Sequence, residues 1–333
     1  MNIEIIAELA QGFEGRPEQA RLLMKAAASA GADAAKYQLV YADELATPDY
    51  KYYELFRSLE MPDEVWEGLS TYSAELGIQL HVDIFGVRSL KLAEHIRVAA
   101  VKLHGTDIAN IALLNEVSKS SIKKVFLGSG GAYYSELRKA LEILSEKDVI
   151  VLLGFQGYPT PNACNQIARI SLLIDRISCK FPNATIGFAD HASPDSPLSH
   201  ALPAMALGAG ATAFEKHLTL GKIMKMEDHE SALNPDEFAE FVQAIRSCKE
   251  ALGEASDADD FGMAEAEQGY RKMIRRHVVA NRDLNQGTTV VPADLVLKRT
   301  SYEQVLTDLT SVYQKTLKRD ISQNTPLLFS DIY

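Results

Sequence analysis

From Ile3 to Leu252 the chain repeats a single alternation: a short apolar run rich in Val, Ile and Ala, then a longer stretch with helical spacing. Such alternation predicts strands separated by helices. The strand candidates are Ile3–Glu8, Ala34–Leu39, Ile78–Phe85, Ala99–Gly105, Lys124–Ser129, Val149–Phe155, Ala184–Asp190 and Ala211–Leu218. Helices are expected over Arg16–Ala30, Tyr134–Leu144, Ala163–Ile177 and Pro235–Leu252. The first carries Pro17 in its first turn and Gly31 just past its end, the usual start and stop chemistry. Asn234 is a candidate N-cap, with Glu237 three residues on. Eight such units close into a (β/α)8 TIM barrel. A doubly wound open sheet is the rival, but AQGFEG after the first strand lacks its G-x-G-x-x-G fingerprint.

A barrel carries its chemistry at the C-terminal ends of its strands. Polar residues stand there on every strand: Glu8, then Lys36 and Gln38, Asp83, Lys102 with His104 and Asp107, Ser129, Gln156 with Tyr158, His191, and His217. The stretch from Gly187 to Ser231 is the densest in metal-capable side chains. His191 and His217 end successive strands and can converge on one metal, with Glu227-Asp228-His229 ten residues later. Imidazole nitrogens with water and substrate oxygens suit manganese, iron, cobalt or zinc.

Composition narrows the class. The chain has 333 residues, 47% of them hydrophobic, which fits a large domain with a sizeable core plus a small one. A net charge of −11 argues against nucleic acid or an anionic membrane as partner. No apolar run reaches membrane-spanning length. Met1 leads straight into a strand-like segment without a basic leader, so a cytoplasmic protein is expected. Cys164, Cys179 and Cys248 are scattered and odd in number, which predicts reduced thiols.

After Leu252 the texture changes. Residues 253–269 are acidic and small, and read as a linker with a short helix. Residues 270–333 read as a small β-rich module with a helical Leu306–Leu309 region. RDLNQGTTV and RDISQNTPL are alike, and predict pseudo-symmetry. A module this small would be marginal alone.

These residues carry a resemblance over nearly the whole length. IIAELAQGFEG resembles the opening I-I-A-E-I-G-x-N-H-x-G of the N-acetylneuraminate (sialic acid) synthase family, which also makes legionaminic and pseudaminic acids. GADAAKYQ, VKLHGTDIANIALL, YPTP, GFADH, ALGAGATAFEKHLTL and DHESALNPDEF follow in the family's order, and the last 60 or so residues resemble its antifreeze-like (SAF) domain. The resemblance implies a transferase. Phosphoenolpyruvate (PEP) condenses with the open-chain aldehyde of an N-acylated hexosamine, phosphate leaves, and a nine-carbon 2-keto sugar acid forms. It implies a divalent metal on His191 and His217, manganese first, with magnesium or cobalt as alternatives. By motif match Glu8 handles a proton or the metal-bound sugar, and Lys36 and Lys102 hold the carboxylate and phosphate of PEP. Tyr158 and Asp228 contact the sugar. Gln38, Asp83, Asp107 and Ser129 are further polar contacts. Arg299 would enter the partner's sugar site in a domain-swapped homodimer.

Each role has a plainer counterpart. Glu8 can pair with Lys36 or Lys102, Tyr158 can be a packed loop aromatic, Asp228 a helix cap, Arg299 a surface residue, and His104 a structural one. The chain also departs from the family pattern. Gly12-Phe13 replaces Asn-His, while Gly105 and Ala189 replace serines. Gly128-Ser129-Gly130-Gly131 replaces S-T-G-M, Gly154-Phe155-Gln156 replaces C-T-S, and Thr300-Ser301 replaces Pro-Gly. Several of these are polar groups that face the PEP phosphate, so two other readings stay open. One is a metal-dependent aldolase-type barrel with a non-phosphorylated donor, and the other a non-catalytic sugar-binding protein. Phe13 and the SPDSP insertion point to a non-standard sugar.

Overall fold

Successive side chains on a strand face opposite ways, and the strands here obey that rule in a closed ring. The computed structural model describes residues 2–154, 157–302 and 305–333. Eight parallel strands close in the order β1-β2-β3-β4-β5-β6-β7-β8. They are β1 (Glu4–Ala10), β2 (Ala34–Gln38), β3 (Gln79–Ile84), β4 (Ala100–Leu103), β5 (Lys124–Gly128), β6 (Asp148–Leu153), β7 (Ala184–Asp190) and β8 (Ala213–His217). The TIM barrel is therefore as expected. The sixth strand ends at Leu153, and Phe155 and Gln156 lie outside the described residues.

Helices α1 (Pro17–Ser29), α2 (Ala42–Leu45), α3 (Tyr53–Leu59), α4 (Asp63–Leu76), α5 (Val87–His95), α6 (Ile111–Lys119), α7 (Tyr134–Ile143), α8 (Arg169–Ile177), α9 (Ala201–Gly208) and α10 (Pro235–Leu252) complete this unit. The stretch Ala163–Ile177 is not one helix. A 3-10 turn at Asn162–Cys164 is followed by Gln166 with φ 50°, and α8 begins only at Arg169. A left-handed residue cannot continue a right-handed helix. At α10 the Asn234 N–H donates to Glu237 as predicted, 2.8 Å, but the Asn234 side chain accepts from Lys222 N instead.

The outward strand residues and the helices form the main core, with Leu23, Trp66 and Phe238 among its fully covered members. Each such side chain contributes roughly 1.5–3 kcal/mol. Phe13 belongs to this core. Its ring meets Tyr37 and Trp66 edge-on at 6.0 and 5.8 Å, so it lies away from the barrel mouth and says nothing about a sugar. The inward residues form a second, smaller plug of Ile6, Ala34, Ala100, Phe126, Ile150, Leu152, Ala189 and Ala213. Above this plug the inward positions turn polar.

Residues 254–333 form a separate unit. It holds α11 (Glu265–Ile274), which extends past the predicted linker end, and an antiparallel pair, β9 (His277–Ala280) and β10 (Leu295–Lys298). Leu306–Leu309 is not helical. Leu306 is extended, its O accepting from Val278 and its N–H donating to Leu327. The predicted doubling is real. Asp294 binds Arg282 and the Val291 N–H, and Asp331 binds Arg319 and the Leu328 N–H. Asp320 accepts from Gln286 N and Asp283 from Gln323 N, both at 2.7 Å. Each contact recurs with its residue numbers shifted by 37, forward in one repeat and back in the other, about an axis through the mutual Leu284–Ile321 bonds. Gly287 and Asn324 occupy the equivalent left-handed turn position.

Candidate active site

Strand alternation brings five charged side chains into the barrel just above the apolar plug: Glu8, Lys36, Asp83, Lys102 and Glu215. Lys36 Nζ donates to Glu8 Oε2 and to Asp83 Oδ1 (2.6 Å), and lies 3.4 Å from Glu215 Oε2. Lys102 Nζ donates to Glu215 Oε1 at 2.7 Å and lies 3.6 and 3.7 Å from Glu8 and Asp83. The lysines were expected to hold PEP, with Glu8 as a possible ion-pair partner. Glu8 does pair with them, and Asp83 and Glu215 supply further counter-ions. Glu215, which the sequence reading left without a role, is one of them. Its signal was parity: if His217 faces inward, so must the residue two before it.

Glu8 is aimed by a bulge. The β1–β2 register slips between Glu8 and Ala10, Ala10 has φ 43°, and its N–H donates to Glu8 Oε1 at 2.9 Å. Bulges beside sites commonly re-aim a side chain this way. Burial, with Glu215 and Asp83 adding, pushes the Glu8 carboxyl well above the usual carboxylate range, against Lys36. Burial works against the Lys36 ammonium, but Asp83, Glu215 and Glu8 hold it above its ordinary value. Three carboxylates facing two ammoniums leave one negative charge over, and a proton on Glu8 makes the layer neutral.

The mouth lies on the β6–β8 side. The rings of His191 and His217 are 5.3 Å apart, and Tyr158 sits edge-on to both at 5.3 and 5.6 Å. Asp228, in a left-handed turn at φ 61°, places Oδ2 3.9 Å from His217 Nδ1. Burial, with Glu227 and Glu230, raises Asp228 to about 6. Burial lowers His191 to about 3, with Lys102, Lys216 and Lys36 adding to the effect, and lowers His217 well below its ordinary value. Both imidazoles are thus neutral, the form that ligates metal. His191 Nδ1 is buried without a hydrogen-bond partner among the described residues. These features fit a divalent cation. No group of three or more protein ligands occurs among the described residues, so water or substrate would fill the other positions.

The remaining predicted residues are less concentrated. Gln38 accepts from Gln11 across the mouth at 2.7 Å. Asp107 lies in a 3-10 turn and accepts from Asn110 at 3.3 Å. The Ser129 hydroxyl donates to the Leu152 carbonyl at 2.9 Å, while Gly130 and Gly131 N–H donate to no acceptor among the described residues. His104, half-buried, is lowered to about 4 by desolvation, with Lys102 adding. Arg299 is exposed in the C-terminal unit.

Where the family pattern has two serines and a cysteine, this backbone has closed in. A Cβ at Gly105 would lie 2.7 Å from Gly130 O, and one at Gly128 2.7 Å from Gly105 N. At Gly154 it would lie 2.5 Å from Ala189 O.

Fold and site together define an eight-stranded β/α barrel enzyme scaffold followed by a SAF domain, whose family model matches residues 275–332. The chain belongs to the NeuB family, whose model matches residues 23–257. It is 26% identical to N,N'-diacetyllegionaminic acid synthase of Legionella pneumophila, covering 100% of this chain and 95% of that one. It is 28% identical to pseudaminic acid synthase of Campylobacter jejuni, covering 85% and 83%. Among solved structures, the N-acetylneuraminic acid (sialic acid) synthetase of Leptospira borgpetersenii superposes with a TM-score of 0.73 at 25% identity, covering 82% of this chain and 93% of that one.

Proposed function

We propose that the protein condenses PEP with the open-chain aldehyde of an N-acylated hexosamine to give a nine-carbon 2-keto sugar acid and phosphate. The observation that carries this reading is the stacking of a two-lysine, three-carboxylate layer beneath a two-histidine mouth, in a chain of this family. The methylene carbon of PEP forms the new C–C bond to the aldehyde carbon, whose oxygen takes up a proton. Water adds to the cationic C2 and loses one proton; the C2–O bond to phosphate then breaks with the electron pair leaving on phosphate, and the remaining O–H proton is lost as the C2 carbonyl forms.

Lys36 and Lys102 donate to the anionic groups of PEP while Asp83 and Glu215 hold their orientation. Glu8, which burial keeps protonated more readily than a free carboxyl, gives the proton to the aldehyde oxygen and accepts the one from water. Tyr158 and Asp228 border the sugar, with Gln38, Asp107 and Ser129 at neighbouring strand ends. His191 and His217 would hold a divalent cation, manganese first and magnesium or cobalt after it, which when bound polarises the aldehyde carbonyl. The same reading extends to a homodimer in which the exposed Arg299 serves the partner's sugar site.

One observation favours a second reading. The closed backbone at Gly105 and Gly128 leaves no room for phosphate-facing hydroxyls, which suits an aldolase-type donor without phosphate. The test is phosphate release from PEP with Mn2+ and a panel of N-acylated hexosamines, with and without chelator. Release that needs metal and one sugar is the expected outcome. No phosphate release, with turnover of pyruvate instead, would replace the first reading with the second.

A further inference from the structure

We propose that the buried ion pair Asp190–Lys216 is a positioning device that fixes His191 and His217 at the spacing one divalent cation requires. This rests on the metal reading above. Asp190 immediately precedes His191, Lys216 immediately precedes His217, and the two are register partners across β7 and β8. Ala189 and Ala213 line the barrel interior. Alternation therefore turns Asp190 and Lys216 to the opposite face, toward the helices, while both histidines face in. Neither member of the pair can touch the cation. They act through the backbone behind it.

The grip on that backbone is complete on the His191 side. Asp190 Oδ1 accepts from Ala192 N at 2.8 Å, and Lys216 Nζ donates to Ala192 O at 2.8 Å. The peptide following His191 is thus held at its N–H from β7 and at the next carbonyl from β8. The His191 carbonyl itself accepts from Thr160 N and from the buried Ser231 hydroxyl, both at 2.8 Å. On the other strand the His217 carbonyl accepts from Leu233 N at 2.9 Å.

Stability does not account for the pair. Both side chains are about fully covered, at 1% exposure, and Nζ and Oδ1 stand 3.3 Å apart. Asp190 Oδ2 is buried with no hydrogen-bond partner among the described residues. Burying two charges costs more than so loose a contact returns, and apolar side chains of similar volume commonly replace such pairs without loss. What apolar side chains cannot do is hold Ala192 N and O at once. Groups standing behind metal ligands typically change metal affinity 10–100-fold.

The test uses the full chain, with Mn2+ alone as probe. Mn2+ affinity by calorimetry and the EPR line shape of bound Mn2+ are compared between the native protein and Asp190→Leu/Lys216→Met, with Ser231→Ala as an independent loosening of the same carbonyl. Metal-free melting temperature is measured in parallel. The expected result is at least about 10-fold weaker Mn2+ binding and a broadened EPR signal in the double variant, with metal-free melting little changed, because relief of the buried charges offsets the two lost backbone hydrogen bonds. Native-like affinity and line shape in a folded double variant would overturn the proposal. So would a double variant that melts far below the native protein, since the pair would then be a stabilising element. If the native protein binds no Mn2+, the metal reading falls and this one with it, an outcome the native arm separates from the others.

Discussion

His81 stands next to Lys36 in the β2–β3 register, inward-facing and fully buried, with Nε2 3.3 Å from Gln79 and 3.5 Å from Glu4. Burial, with Lys124 and Lys36, lowers it to about 3. The folded state therefore keeps it neutral where the unfolded chain, titrating near 6.5, already binds a proton. Between pH 6.5 and 3 the unfolded state holds more protons, so stability falls as pH falls. At pH 4.5 this residue's share is roughly 2–3 kcal/mol. Urea midpoints at pH 8 and pH 4.5 should show His81→Gln losing less between them than the native protein, and an unchanged loss would remove His81 from the account. Taken alone, an apolar-flanked histidine in a strand looks the same whichever face it takes, and His81 was legible only by counting two back from Asp83. Lys36, Lys102, His191 and His217 were legible because they stand at strand ends. Glu215 was legible only by counting two back from His217. Ser129 stood at the right position, but its hydroxyl serves the neighbouring strand, a matter of rotamer that sequence does not carry.

At the scale of elements, the eight strands were readable within a residue or two because each is a short run rich in Val, Ile or Ala set between longer stretches with helical spacing. The α8 boundary was not, since nothing in ACNQIAR announces a left-handed Gln166. Nor was the extended Leu306, whose apolar neighbours fit a helix equally well until Val278 and Leu327 claim its backbone. The strand ends are also where packing is tightest. Gly154→Ala would drive a methyl against Ala189 O and Cβ and should cost roughly 1–3 kcal/mol. Gly68, inside α4 with nothing within 4 Å of its missing Cβ, should gain roughly 0.5–1 kcal/mol as alanine. Denaturant unfolding of the two variants measures both; a neutral Gly154→Ala would show that β6 and β7 separate easily.

At the scale of the whole molecule, the C-terminal unit makes a prediction from its symmetry. Asp294 and Asp331 hold equivalent arginines and equivalent turns. Asp294→Ala and Asp331→Ala should each cost roughly 2 kcal/mol. Amide hydrogen exchange in the full chain should show the same core amides, including Val278 and Leu317, losing protection to the same extent. A silent member of the pair would mean the doubling is one of shape and not of energy. The doubled Arg-Asp phrase was visible in sequence, whereas its distant acceptors were not, because each lies twelve residues on, with no motif between. The barrel's charge layer carries a different consequence. Its lysines are spent on its own carboxylates, so the interior offers little positive field to the outside, while the chain as a whole carries −11. An anionic substrate would approach against that field, and raising ionic strength, which shortens the reach of surface charge, would speed its capture where most anion-binding enzymes are slowed.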